Sequence, residues 1–282
     1  GTRDITFAVG DGTKTSALLH HSMVVTAGPT VSTDSGSAQF VSGDNTTSTP
    51  VAVDPGILLT DGSSTTLVSA TVAITGNFQG NHDQLLFTAN PATMGNISGA
   101  YDGSTGVLTL TAAGGASLLQ WQNALASIQF TNDLVVPSSS TRTVSFQIND
   151  GTLTSSTATR NVTVTATDQT PVIGAGGNTV SFVAGDNTAS TAVAVNDAIT
   201  VGDLDGGPLQ QAVVTITGHY EATDVLAFNN NSTALYGNIS AVYANGTLTL
   251  TSSGSQATLA QWQNALRAVT YDSTAITPGA LA

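Results

Sequence analysis

The sequence predicts an all-β protein, made of tandem antiparallel β-sandwich repeats of about 141 residues assembled end to end, each with one short helix. Three observations predict it. Long segments recur at one spacing. Apolar residues alternate with polar ones between Gly, Asn, Asp and Pro punctuation. One segment per repeat switches instead to helical spacing.

The repetition is direct. FVSGDNTTSTPVAVD (40–54) returns as FVAGDNTASTAVAVN (182–196), a shift of 142. ATVAITGNF (70–78), DQLLF (83–87) and MGNISGAY (94–101) return as VVTITGHY (213–220), DVLAF (224–228) and YGNISAVY (236–243). Trp121 and Trp262, in matching QWQNAL segments, are 141 residues apart. One whole repeat spans about 30–170 and a second spans 171–282. Residues 1–29 form a third, partial unit.

That partial unit matches the closing hairpin of the first repeat. GTRDITFAVGDG (1–12) lines up with TRTVSFQINDG (141–151): Arg3 with Arg142, Ile5 with Val144, Phe7 with Phe146, Asp11 with Asp150. In both copies every second residue is apolar, as in a half-buried strand. Asp11-Gly12 and Asp150-Gly151 are hairpin-turn signals. The return strands carry Met23 and Val25 in one copy and Val162 and Val164 in the other.

Further strands are expected at 67–75, 84–88, 106–111, 212–217, 224–228 and 247–251, which are rich in Thr, Val and Leu. SLLQWQNALASIQF (117–130) and TLAQWQNALRAVTY (258–271) read as a short helix leading into a strand. Leu118, Trp121, Leu125 and Ile128 share one helical face, so both tryptophans are expected in the core rather than on a ligand platform.

Taken together, GDNT-x-STPVAVD, ATVAITGNF, DQLLF, the QWQNAL segment and R-x-VSF-x-INDG resemble the cadherin-like, Ig-like tandem repeats of giant bacterial surface adhesins, related to the chondroitin-sulfate-proteoglycan type. The resemblance covers nearly the whole chain. It implies an extracellular, cell-surface location and a stalk, fibre or binding role.

Repeat 171–282 carries no counterpart of the 141–166 hairpin, and such a hairpin stands at 1–29 instead. A sandwich without that hairpin exposes a sheet edge and an apolar slot. The expectation is head-to-tail self-association by strand addition. Ile5, Phe7, Val9, Met23 and Val25 would form the plug and Tyr271 part of the slot. The alternative is that the chain is an excerpt of a long covalent repeat adhesin, mediating calcium-dependent adhesion to cells or to a cell-surface glycan.

Composition narrows the classes. Net charge is −13, with five Lys+Arg against 18 Asp+Glu, which disfavours nucleic acid and anionic membranes as partners. The chain has no run of 18 apolar residues that would insert in a membrane. There are no cysteines. No nucleophile elbow, phosphate loop or H-E-x-x-H motif occurs, so the reading is non-enzymatic. His20 and His21, adjacent on a strand, point to opposite faces. No third partner for a metal is evident near His82 or His219.

Calcium is the one cofactor expected. VGDLDGG (201–207) offers Asp203 and Asp205, TATDQTPVI (165–173) offers Asp168 before Pro171, and Asp186 and Asp150 are further candidates. The linker 24–31 has no Asp at all. Turn capping by these residues is the competing reading. The Asn-x-Ser/Thr triplets headed by Asn45, Asn96, Asn161, Asn230, Asn231, Asn238 and Asn245 are candidate glycan acceptors.

Overall fold

A computed structural model describes residues 1–177, 179–185 and 188–275. The chain is all-β, with several sheets, and divides into two compact units, Gly1–Thr167 and Asp168–Ala282.

Unit 1 opens with a hairpin of β1 (Thr2–Phe7) and β2 (Leu19–Val24). Short strands follow: β3 (Thr30–Ser32), β4 (Ser37–Val41), β5 (Val51–Ala52) and β6 (Leu58–Thr60). The long β7 (Thr66–Gly76) leads to β8 (Asp83–Leu86), a single helical turn α1 (Pro91–Met94), β9 (Ser98–Asp102) and β10 (Val107–Ser117). Helix α2 (Leu118–Ala126), β11 (Gln129–Asn132) and the hairpin β12 (Arg142–Asn149) and β13 (Ala158–Thr165) complete it.

The main sheet has the order β4-β13-β12-β7-β10-β9, opposed by β5-β11-β8 and by β3-β6. The core lies between these layers. Val144, Phe146 and Ile148 of β12 are fully buried, as are Val72, Leu110, Trp121 and Phe130. Ser117 caps α2 through a reciprocal box with Gln120, and the Trp121 indole N–H donates to Leu67 O at 2.8 Å. The tryptophan is thus both core filler and a tie between helix and sheet.

Unit 2 repeats this order. It comprises β14 (Val172–Gly174), β15 (Val193–Ala194), β16 (Thr200–Gly202), β17 (Gln211–Thr215), β18 (Asp224–Ala227), α3 (Thr233–Tyr236), β19 (Ile239–Ala244), β20 (Thr247–Ser252), α4 (Leu259–Arg267) and β21 (Thr270–Ser273). Thr258 and Gln261 rebuild the capping box, and Trp262 donates to Leu209 O at 3.2 Å.

Two features depart from the sequence reading: the number of helices, and the parallel pairing of β4 with β13 in a sandwich expected to be antiparallel. Among the described residues each unit has two α-helices rather than one, and unit 2 adds a 3-10 turn at Ser253–Ser255. Asn90, with Pro91 at the first helical position, caps the extra turn in unit 1, and Ser232 caps it in unit 2. Unit 2 also differs from unit 1 where the hairpin would sit. Its sheet is β17-β20-β19, and among the described residues no strand pairs with the outer edge of β17. Residues 179–183, the counterpart of β4, form no strand. In unit 1, β4 is held by parallel pairing to β13. Unit 2 offers no such partner among the described residues.

Candidate functional site: an open slot and an exposed hairpin

In unit 1, β12 pairs along β7 with Val144 opposite Ile74, Phe146 opposite Val72 and Ile148 opposite Ala70. The same sequence pattern in β17 and the residue that follows it places Val214 and Ile216 where Val72 and Ile74 stand. There they are half-buried rather than buried. Around them opens a cavity of about 380 Å3, lined by Phe182, Val193, Val195, Val214, Leu226 and Tyr271. Phe182 still meets Tyr271 edge-on at 5.0 Å, as Phe40 meets Phe130 at 5.3 Å. The slot therefore keeps the walls of the unit 1 core and is open where β12 and β13 would close it.

The hairpin β1–β2 has the opposite character. Its register, Arg3 opposite Met23 and Phe7 opposite Leu19, reproduces Arg142 opposite Val162 and Phe146 opposite Ala158. The turns match bond for bond. Ser16 N donates to Val9 O at 2.7 Å, and Ser155 N to Ile148 O at 2.9 Å. Asp11 Oδ1 accepts the N–H groups of Thr13 and Lys14, as Asp150 Oδ1 accepts those of Thr152 and Leu153. These bonds, with the Lys14 N–H the largest contributor, hold the Asp11 carboxyl down at about 2. Gly12 and Gly151 take φ +94° and +96°, a turn conformation that only glycine adopts without strain.

Burial, however, is inverted. Phe146 is 0% exposed and Phe7 56%, while Val9, Met23 and Val25 are also exposed. An isolated two-stranded hairpin with apolar residues bare on both faces is marginal in water. Five of the six sequence-predicted joint residues thus lie on the hairpin, and the sixth, Tyr271, lines the slot. Tyr271 OH donates to Asp224 Oδ1 at 2.7 Å; burial and then that carboxylate push its phenol up to about 12.

Sequence reasoning missed a buried polar cluster at the end of β12. In unit 1, Arg142 is fully buried: its Nε donates to Asp83 Oδ2 at 2.9 Å, Nη2 to Asp83 Oδ1 at 3.3 Å and to Gln79 Oε1, and Nη1 to Ser138 O at 2.8 Å and to Ser140 O. The corresponding site in unit 2 holds Asp224, which is buried, and Glu221, whose N–H donates to Asp224 Oδ2 at 2.8 Å. A signal was present in the sequence. Arg heads both hairpin copies, and the single Glu of the chain replaces Gln79.

The calcium candidates come partly together. Around Gly207, a side-chain carbon would lie 3.2 Å from Asp205 Oδ1, 3.3 Å from Asp203 Oδ2 and 3.9 Å from Asp168 Oδ1. Asp205 accepts the N–H groups of Gln169 and Gly207. The hydrogen bond of Asp203 to Asp205, reinforced by desolvation and by the charges of Asp205 and Asp168, raises the Asp203 carboxyl, and Asp203 Oδ1 is buried without a hydrogen-bond partner. These hard oxygens suit calcium in type. Among the described residues, however, no three His, Asp or Glu side chains already stand in a metal-holding arrangement. Asp186 lies outside the described residues, and Asp150 is occupied in the β12–β13 turn. His82 pairs with Asp133 at 2.8 Å and His20 with Asp4 at 2.8 Å. Asn96, Asn230 and Asn238 donate their amides to nearby backbone carbonyls.

No family model matches the chain, and no curated protein matches it significantly.

Proposed function

We propose that this chain is a non-enzymatic structural protein of an extracellular fibre or adhesin stalk. In this reading its repeats are Ig/cadherin-like, and molecules join head to tail when the β1–β2 hairpin of one enters the unit 2 slot of the next. One observation carries it: the exposed hairpin repeats the register of β12–β13, and unit 2 has an open apolar cavity where unit 1 seats that hairpin. β1 would extend the edge of β17 as β12 extends β7, with ladder hydrogen bonds giving affinity and alternate side chains giving register.

Burying Ile5, Phe7, Val9, Met23 and Val25 at about 1.5–3 kcal/mol each contributes on the order of 10 kcal/mol before ordering costs. Such a contact is heterologous and propagates into an open filament unless its rotation closes a ring. Light scattering and negative-stain microscopy of the full chain test it. Filaments that vanish in Phe7→Asp support the reading; a monomer at all concentrations sinks it.

A second reading, calcium-dependent adhesion to a cell or a surface glycan, is favoured by the convergence of Asp168, Asp203 and Asp205 oxygens around Gly207. Calcium bound there would stiffen unit 2 near its first residues. A calcium-dependent rise in the melting temperature of unit 2 tests that part.

A further inference from the structure

The apolar slot accounts for affinity but not for choice. Unit 1 contains an equally suitable slot, filled by its own β12–β13, and a hairpin of the same register is a standing invitation to exchange. Three polar positions distinguish the two slots.

The first lies at the end of the slot. Arg142 enters a site made by Asp83 and Gln79, with one carboxylate. The unit 2 counterpart, Asp224 and Glu221, has two carboxylates, and Arg3 occupies the place of Arg142 in the exposed hairpin. Asp224 keeps the position of Asp83: its carboxylate accepts the Glu221 N–H at 2.8 Å as Asp83 accepts the Gln79 N–H at 2.7 Å.

The second lies on the return strand. Arg160, opposite Val144, donates from Nη1 to Ser35 O, next to Asp34, whose N–H donates to Asp54 Oδ2 at 3.2 Å, and the Arg160 charge opposes the rise that burial and Asp34 impose on the Asp54 carboxyl. The hairpin carries His21 there, opposite Ile5. Unit 2 replaces Asp54 by Asn196 and Asp34 by Gly176, whose carbonyl accepts from the Asn196 amide at 3.0 Å.

The third is Tyr271. Its hydroxyl bonds Asp224 Oδ1 at 2.7 Å, where Asn132 donates to Asp83 Oδ1 at 2.7 Å in unit 1. The carboxylate thus stays oriented before any arginine arrives.

Resting on the head-to-tail reading, we infer that Arg3 of one copy inserts between Asp224 and Glu221 of the next, and that this latch, together with the His21–Asn196 match, directs the hairpin to unit 2 slots and away from unit 1 slots. In a unit 1 slot the hairpin would set Arg3 against a single carboxylate and leave His21 facing Asp54 and Asp34 in place of the permanently charged Arg160. Conversely, β12–β13 in a unit 2 slot would bring the half-buried Arg160 to a place where Asn196 and Gly176 stand instead of Asp54 and Asp34. Arg3 is a specificity residue for self-association.

The test is a double-mutant cycle on the critical concentration for assembly of the full chain, read by pelleting and light scattering. Arg3→Gln raises the critical concentration at least ten-fold. Glu221→Gln, which recreates the side-chain set of unit 1 and so retains the fold, raises it several-fold. The double variant resembles Arg3→Gln alone, because the two side chains act on each other. His21→Arg also raises it several-fold. Arg3 is exposed in the single chain, so the melting curve of dilute Arg3→Gln is unchanged. If the native chain assembles but Arg3→Gln assembles equally well, or if the two substitutions add independently, the latch is refuted while head-to-tail joining stands. If the native chain does not assemble at all, both fall.

Discussion

Arg142 Nε donates to Asp83 Oδ2 at 2.9 Å, and neither side chain has any exposed surface. The pair links β12 to the start of β8 and lies at the end of a strand whose other inward residues are apolar. Its cost of burial is offset by the full set of acceptors around the guanidinium.

Removing one partner of such a pair leaves the other charged in the core. Arg142→Met is therefore expected to destabilise unit 1 by about 3–5 kcal/mol. Denaturant melts monitored on unit 1 check this. Loss of less than about 1 kcal/mol would mean that Asp83 finds other partners.

The two copies of one phenylalanine give a sharper contrast. Phe146→Ala opens a cavity in a closed core and is expected to cost about 3–5 kcal/mol. Phe7→Ala changes an exposed side chain and is expected to shift dilute-solution stability by no more than about 0.5 kcal/mol, while abolishing assembly. Equal effects on folding would show that the hairpin is part of a closed core.

Much of this was legible in the sequence, for identifiable reasons. The alternation of Val144, Phe146 and Ile148 announced β12, and the same rhythm in Ile5, Phe7 and Val9 announced β1. The Leu118, Trp121 and Leu125 spacing announced α2. Strands such as β5 and β15, two residues each, are too short to show any period. β9, a five-residue SGAYD strand in which only Tyr101 is a large apolar residue, shows little alternation. α1 and α3 are single turns set by their caps rather than by an apolar stripe. The Arg142–Asp83 pair joins residues 59 apart in sequence, so only the fold brings them together.

The hairpin turn carries a pH signature. The Asp11 carboxyl is depressed from 3.8 to about 2 by the N–H groups of Lys14 and Thr13. A depressed carboxyl stabilises the folded turn above its ordinary value, and this contribution fades as pH falls through the folded value. The turn should stay intact at pH 4 and loosen as pH approaches 2. Carboxyl NMR titration should find an Asp11 midpoint near 2; a midpoint at 3.8 would mean that the turn bonds do not persist in solution.

Asp203 has the opposite sign. Its raised carboxyl, caused first by the hydrogen bond with Asp205, favours the protonated form. That contribution is full below the ordinary carboxylate range and is lost as pH rises through the raised value. At neutral pH a divalent cation can take the proton's place. Millimolar calcium should raise the melting temperature of unit 2 at pH 7, and Asp203→Asn should remove the effect. Identical melts in calcium and in chelator would refute calcium binding there.

The central claim is that β1 of one molecule lies along β17 of another, in the register that β12 keeps along β7. Ser145 stands opposite Ala73 in that register, on the outer face of the sheet, so Thr6 should stand opposite Thr215. The chain has no cysteine, which makes disulfide trapping clean. Chains bearing Thr6→Cys and chains bearing Thr215→Cys would be mixed and oxidised, with Thr6→Cys plus Val213→Cys as the off-register control. The account predicts a disulfide-linked heterodimer from the first mixture and not from the control. Absence of that heterodimer from well-folded chains would contradict it.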